Sequence, residues 1–168
     1  YWVIDGQTGG GAANNWTGNF GISITERGDG NALLSLGELA NGGRANDIQI
    51  RHVDLQGKGS VSTMGGGISN DALAVYGSNN ATLSYFRMRG IGRCPVFASA
   101  RNLVVEHGWV ESYNGSSAVH SEVASLWSFS GISIGDVTFR YNLVTDLHST
   151  GGIMWDNSEN PSAQLFVY

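Results

Sequence analysis

The chain has 168 residues, of which 41% are hydrophobic and only 14% charged, with 25 glycines and two prolines. That length suits one domain with a continuous core, and the scarcity of proline excludes collagen-like or proline-rich disordered chains. A net charge of −5 with nine scattered Lys and Arg excludes a phosphate-binding stripe, so no nucleic-acid partner is expected.

No apolar run approaches the ~18 residues of a membrane span, so no membrane insertion is predicted. No basic-then-apolar leader precedes Tyr1, and the missing initial Met points to a processed protein or an excised fragment. Cys94 stands alone, which rules out an intrachain disulfide and predicts a buried structural thiol.

Strand-like sequence begins at Trp2-Val3-Ile4 and recurs at Phe20-Gly21-Ile22-Ser23-Ile24 and Leu33-Leu34-Ser35-Leu36. The next stretch, Ile48-Gln49-Ile50-Arg51-His52-Val53-Asp54-Leu55, is apolar at positions one, three, six and eight. Three later stretches follow the same template: Ala81 to Met88, Leu103 to Val110 and Val137 to Val144. Their starting residues are offset by 33, 22 and 34, so a repeat with inserted loops of varying length is predicted. The fifth position reads His52, Tyr85, His107 and Tyr141, which predicts one stacked ladder. At the sixth position the pattern weakens to Gly108 and Asn142.

Leu73-Ala74-Val75-Tyr76 and Leu165-Phe166-Val167-Tyr168 read as further strands of the same repeat, while Gly9-Gly10-Gly11 and Gly65-Gly66-Gly67 read as bends. No segment carries a helical period, so the fold class is all-β. A β-sandwich would repeat its hairpin signals at roughly 8–12 residues, a poorer fit than the longer self-similarity found here.

A second strand follows each template match: Val96-Phe97-Ala98-Ser99, Val119-His120-Ser121-Glu122 and Ile153-Met154-Trp155-Asp156. Aligning Val119 with Ile153 makes Glu122 and Asp156 vertical neighbours at the ~4.8 Å spacing of paired strands. Two such carboxylates could divide acid and base or nucleophile roles at a glycosidic bond, with His120 moving protons. Alternatively Glu122 and Asp156 hold a calcium ion, with Ser99, Asn157 and water completing its oxygen shell. Tyr113, Asn114 and Trp155 are the candidate substrate-binding residues, and Trp109, Trp127 and Tyr141 offer further flat surfaces for sugar rings.

Asn46-Asp47-Ile48-Gln49-Ile50, Asp136-Val137-Thr138-Phe139-Arg140-Tyr141-Asn142 and Thr150-Gly151-Gly152-Ile153 resemble the parallel β-helix repeats of pectate-lyase-like proteins. The resemblance spans most of residues 46–157, and Trp2-Val3-Ile4-Asp5-Gly6 resembles an early coil. It implies a right-handed parallel β-helix over residues 1–168 as a single domain, a solenoid without its own caps or a fragment of a longer one. It also implies an extracellular or periplasmic module that binds or cleaves polysaccharide, as a lyase or glycoside hydrolase if an enzyme, with no cofactor required and calcium as an optional one. The clustered aspartates and catalytic basic residue of pectate lyases and polygalacturonases are not recognised in this sequence, so the fold resemblance transfers no activity. The competing reading is a non-catalytic structural β-helix, such as an adhesin stalk or a filament subunit associating end to end.

Overall fold

A computed structural model describes residues 1–8, 20–26, 32–37, 44–57, 71–92, 94–113, 122–128, 132–147 and 151–168. These residues form β1 (Trp2–Asp5), β2 (Ile22–Thr25), β3 (Ala32–Leu36), β4 (Ile48–Arg51), β5 (Val53–Gln56), β6 (Asp71–Ser84) and β7 (Arg87–Arg89). They continue with β8 (Val96–Glu106), β9 (Trp109–Tyr113), β10 (Glu122–Trp127), β11 (Val137–Arg140), β12 (Leu143–Leu147), β13 (Gly151–Asp156) and β14 (Leu165–Val167), and no helix occurs among the described residues.

The ladders between these strands are parallel. They fall into three stretches, which the chain visits in the same order on successive passes. The first contains β1, β4, the Ala81–Ser84 end of β6, the Leu103–Glu106 end of β8, β11 and β14. β2, β5, β7, β9 and β12 make the second. The third holds β3, the start of β6, the start of β8, β10 and β13. The fold is therefore all-β and built from parallel sheets, as the alternation in the sequence predicts.

The template register is also borne out. Ile48 lies beside Ala81, Ala81 beside Leu103, and Leu103 beside Val137. Trp2 beside Ile48 and Leu165 beside Val137 extend that stack at both edges. Alternation decides which side chains enter the core: Ile48 and Ile50 are buried while Gln49 and Arg51 are half-exposed, and Val137 and Phe139 repeat the pattern against Thr138 and Arg140. Leu55, Met88 and Val110 enter from the second stretch, and Leu73, Val75, Val96, Ala98 and Leu126 from the third. Burying each large side chain contributes about 1.5–3 kcal/mol.

Between the first and second stretches the chain bends on one residue with a left-handed backbone. The φ angles there are 54° at His52, 52° at Tyr85, 52° at His107 and 55° at Tyr141. This region costs a non-glycine residue about 1–2 kcal/mol, and it is uncommon for bulky side chains. The parallel stack supplies an offset, because equivalent turns lie directly above one another. His52 stacks on Tyr85 with ring centroids 5.3 Å apart, Tyr85 on His107 at 5.1 Å, and His107 meets Tyr141 at 5.0 Å. Each ring pair contributes about 0.5–1.5 kcal/mol beyond the area it buries.

A second ladder guards the opposite end of the first stretch. Asp47, Asn80 and Asn102 have φ of 54°, 56° and 53°, and each immediately precedes a template strand. Asn80 donates its amide to Asp47 Oδ1 at 2.8 Å, and Asn102 donates to Asn80 Oδ1 at 3.0 Å. Asn and Asp tolerate this conformation through such short polar contacts.

The sixth template position also acquires a reason. Phe86 fills it with a fully buried ring, and a Cβ at Gly108 would collide with that ring, so one large residue requires one absent side chain on the next pass. Asn142 accepts a hydrogen bond from the Gly108 N–H at 2.9 Å and donates to the Val105 carbonyl at 2.9 Å, so its polarity is satisfied.

The ring ladder is testable against its own backbone cost. Tyr85→Gly removes two ring contacts but relieves the left-handed φ, whereas Tyr85→Ala removes the contacts and keeps the strain. Urea unfolding should rank the proteins wild type, then Gly, then Ala, with the two variants separated by about 1 kcal/mol. An alanine variant as stable as the wild type would show that the stack contributes nothing, because that variant keeps the strained φ and loses only the contacts.

Candidate functional site

The residues expected to form a carboxylate pair are not brought together. Glu122 opens β10 opposite Gly151, whereas Asp156 closes β13 opposite Trp127. Five strand positions separate them, on the order of 15 Å along the strand. Ile153 lies beside Ala124 rather than Val119, and Val96 beside the same alanine, so the second-strand register read from the sequence is corrected by five residues. Ala124, fully buried, carries the inward position that the sequence reading gave to Val119, and a shift of register moves every neighbour with it.

Each carboxylate has its own local partners. Asp156 Oδ1 accepts the Ser158 N–H at 2.9 Å, and this backbone bond, with the Ser158 side chain, holds its carboxyl below the usual value. The pair expected to bridge a calcium ion is split by the same register. Its two expected helpers are engaged elsewhere: Ser99 donates to the Ile132 carbonyl at 2.9 Å, and Asn157 to that of Ala163 at 3.3 Å. No group of three or more His, Cys, Asp or Glu suited to a metal occurs among the described residues.

Trp155 lies opposite Leu126 and packs against the core cluster, which removes it from the outer surface where a sugar would stack. Tyr113 ends β9 opposite Leu147. His120 and Asn114 lie outside the described residues. Trp109 sits beneath the Arg87 guanidinium at 4.9 Å and donates its indole N–H to Thr145 Oγ1 at 2.8 Å, so its ring is engaged within the sheet. Trp127 meets Phe97 edge-on at 5.7 Å, and Phe97 meets Tyr76 at 5.6 Å, making a half-buried aromatic group on the third stretch.

Glu122 joins a different polar cluster. Its Oε2 accepts from Ser125 Oγ at 3.1 Å, Ser125 Oγ is 3.2 Å from Cys94 Sγ, and the Cys94 N–H points to Asp71 Oδ1 at 3.4 Å. Burial pushes the Cys94 thiol up to about 11 against the lowering effect of the Ser125 hydrogen bond, and the nearby Asp71 and Glu122 charges raise it further. A thiol held protonated is a poor nucleophile, which fits the structural role expected for it.

At the start of the ring ladder, His52 Nδ1 lies 2.7 Å from Asp5 Oδ1, and Arg51 approaches the other oxygen at 3.4 Å. Burial would raise the Asp5 carboxyl, but the His52 hydrogen bond, the Gln7 N–H and the nearby Arg51 charge bring it below its usual value. His52 is buried under Tyr85, so its imidazole is held in the ladder, while the Asp5 carboxylate that meets it stays partly exposed.

At the other end of the ladder the surface opens. Thr138 and Arg140 of β11, Tyr141, Phe166 of β14 and Tyr168 line a groove of about 270 Å³. Tyr141 is 54% exposed and Tyr168 71%, while the Tyr141 ring meets His107 at 5.0 Å and lies beneath the Arg140 guanidinium. Arg140 is fixed: its Nε donates to Glu106 Oε2 at 2.7 Å, and its guanidinium lies 5.5 Å from the centroid of the Tyr141 ring. The backbone ties the groove together, with the Tyr141 N–H donating to the Tyr168 carbonyl at 3.2 Å. Sequence reasoning singled out Tyr141 but missed Arg140, Phe166 and Tyr168. The available signal was the polar, outward half of each strand's alternation.

Compared with known proteins, the chain matches no family model, no curated protein and no solved structure.

The Cys94 environment has a consequence for stability. A folded-state value raised from 9.0 to about 11 means that stability present below pH 9 is lost as the pH rises through 11. Between pH 8 and 10.5 the wild type should lose about 1–3 kcal/mol more than Cys94→Ala, measured by urea unfolding. Parallel pH curves for the two proteins would show that the thiol is accessible and unperturbed by its surroundings.

Proposed function

We propose that the chain is a right-handed parallel β-helix of the pectate-lyase-like kind and acts as an extracellular or periplasmic polysaccharide-binding module. Support for the winding comes from the fixed order in which three parallel stretches are revisited, with ladders at equivalent turns. Right-handedness follows from the near-universal hand of parallel crossover connections. The compartment rests on the family resemblance alone.

The observation that carries the binding reading is the groove of Arg140, Tyr141, Phe166 and Tyr168. A sugar ring has apolar C–H faces and a polar rim, so it suits an exposed aromatic face beside a fixed hydrogen-bond donor. Arg140 is such a donor, because Glu106 orients it and leaves further N–H groups for a ligand. The groove's volume lies just under the roughly 300 Å³ at which small-molecule pockets begin, which suits a polymer crossing the surface better than an enclosed metabolite. Binding is favoured over cleavage because Glu122 and Asp156 stand apart.

Affinity electrophoresis against neutral and acidic polysaccharides tests this reading. The wild type should be retarded by at least one polymer, and Tyr141→Ala or Arg140→Gln should weaken that binding by about tenfold, the equivalent of ~1.4 kcal/mol. Equal retardation of all three proteins, or none by any polymer, would sink it.

A structural role has one observation in its favour. The exposed large hydrophobic side chains gather at Tyr1, Trp2, Val3 and Ile4 on one edge and at Tyr141, Leu143, Val167 and Tyr168 on the other. Edge strands such as β1 and β14 are templates for parallel addition of another chain. End-to-end association would then rise with concentration in sedimentation velocity, whereas a monodisperse monomer at high concentration would exclude it.

A further inference from the structure

We infer that Arg44 and Arg101 form a binding site for an oxyanion, a carboxylate or a sulfate or phosphate group, on the ridge between the third and first stretches. The inference stands independently of the groove at Tyr141, because it uses different residues and different chemistry.

Its first support is how the arginines are partnered. Arg51 pairs with Asp5, Arg87 with Glu111, Arg89 with Asp54 and Arg140 with Glu106. Arg44 and Arg101 have no carboxylate partner among the described residues, and these two line the same cavity. Asn79, Gly77, Ile132 and Ser133 complete most of its wall, and its volume is about 40 Å³. One water needs roughly 10–15 Å³ measured this way, so a group larger than a single water fits.

The second support is that the local backbone builds the space. Gly77 has φ of 67°, and a Cβ there would lie 3.3 Å from Ile132 Cδ1 and 3.7 Å from Arg44 Cγ, narrowing the cavity. Gly135 likewise leaves room for the Arg101 stem, since a Cβ would fall 2.7 Å from Arg101 Cγ. Strand pairing sets Asn79 beside Arg101, and the Asn79 N–H donates to Asn46 Oδ1 at 2.9 Å, which ties the wall to the preceding pass. Arg101 Nε makes a long contact of 3.4 Å to the Ser133 carbonyl, and its terminal N–H groups have no partner among the described residues.

The third support is electrostatic. Carboxylates close by in sequence form no ion pair with either arginine among the described residues: Asp47 accepts from the Asn80 amide, and Asp136 from the Gln164 N–H. Two arginines on one cavity bring two positive charges to its wall, and their planar donor forks match oxyanion geometry.

The test is isothermal titration at low ionic strength with sodium sulfate, sodium phosphate, sodium glucuronate, and uronate and sulfated oligosaccharides. The proteins are the wild type and Arg44→Gln/Arg101→Gln, with circular dichroism confirming that both are folded. At least one anion should bind the wild type, about tenfold more weakly after the double substitution, and the affinity should fall with added salt. Binding of the free ions identifies a small-anion site, while binding of the oligosaccharides alone identifies an acid group carried on a glycan. Neutral-polysaccharide retention should be unaffected by the double substitution, which separates this site from the groove. Failure of every anion to bind, or equal affinity in the double variant, would overturn the inference.

Discussion

Everything in this structure depends on a turn that repeats at the same height on each pass. Parallel pairing brings equivalent residues within about 5 Å of one another, so whatever occupies a turn must be compatible with its own copy above and below. The left-handed φ at His52, Tyr85, His107 and Tyr141 would be a scattered set of strained residues in another architecture. Here the same spacing that repeats the strain also places flat rings in contact, and the centroid separations of 5.0–5.3 Å lie close to the strand spacing itself. The polar ladder of Asp47, Asn80 and Asn102 solves the same problem at the other end of the strand with hydrogen bonds.

This explains what could be read from the sequence. The first stretch was legible because its turn residues recur in chemical type, so that aromatic rings five positions into each template fix the register without any knowledge of loop length. The polar ladder of Asp47, Asn80 and Asn102 was not read from the sequence, although each of the three directly precedes a template strand. The third stretch has no such marker near its strands. Its inward positions include Ala124, its outward positions include the buried Ser125, and the loops leading into β10 and β13 differ in length. Burial no longer follows residue polarity there, and without a ladder the alignment of Val119 with Ile153 looked as good as that of Ala124. Because facing and neighbours both follow register, that single misalignment created the apparent Glu122 and Asp156 pair.

The candidate site shows a different limit. Five aromatic residues looked equivalent as sugar-binding surfaces, yet their neighbours separate four of them: Arg87 covers Trp109, Phe97 meets Trp127 edge-on, Trp155 packs against the core, and Tyr141 stays 54% exposed although Arg140 and His107 adjoin its ring. None of these outcomes is a property of the aromatic residue itself. Each is set by which outward residue the adjacent pass places beside it, a relation between positions 20 to 40 residues apart that becomes visible only once the register is known.

Regular parallel stacking also disfavours concavity, because each strand covers the last and four arginines find a carboxylate one pass away, as Arg89 finds Asp54. Departures from regularity are then where recesses form. The register between β6 and β8 shifts between Tyr76 and Asn79, Gly77 takes a positive φ within that interval, and the cavity of Arg44 and Arg101 opens beside it. The same interval interrupts the pairing that neutralises arginines elsewhere on the surface. Loss of strand register, loss of a side chain at Gly77 and loss of charge compensation thus coincide at one place, and a ligand bearing negative charge is the one addition that addresses the last of these without disturbing the first two.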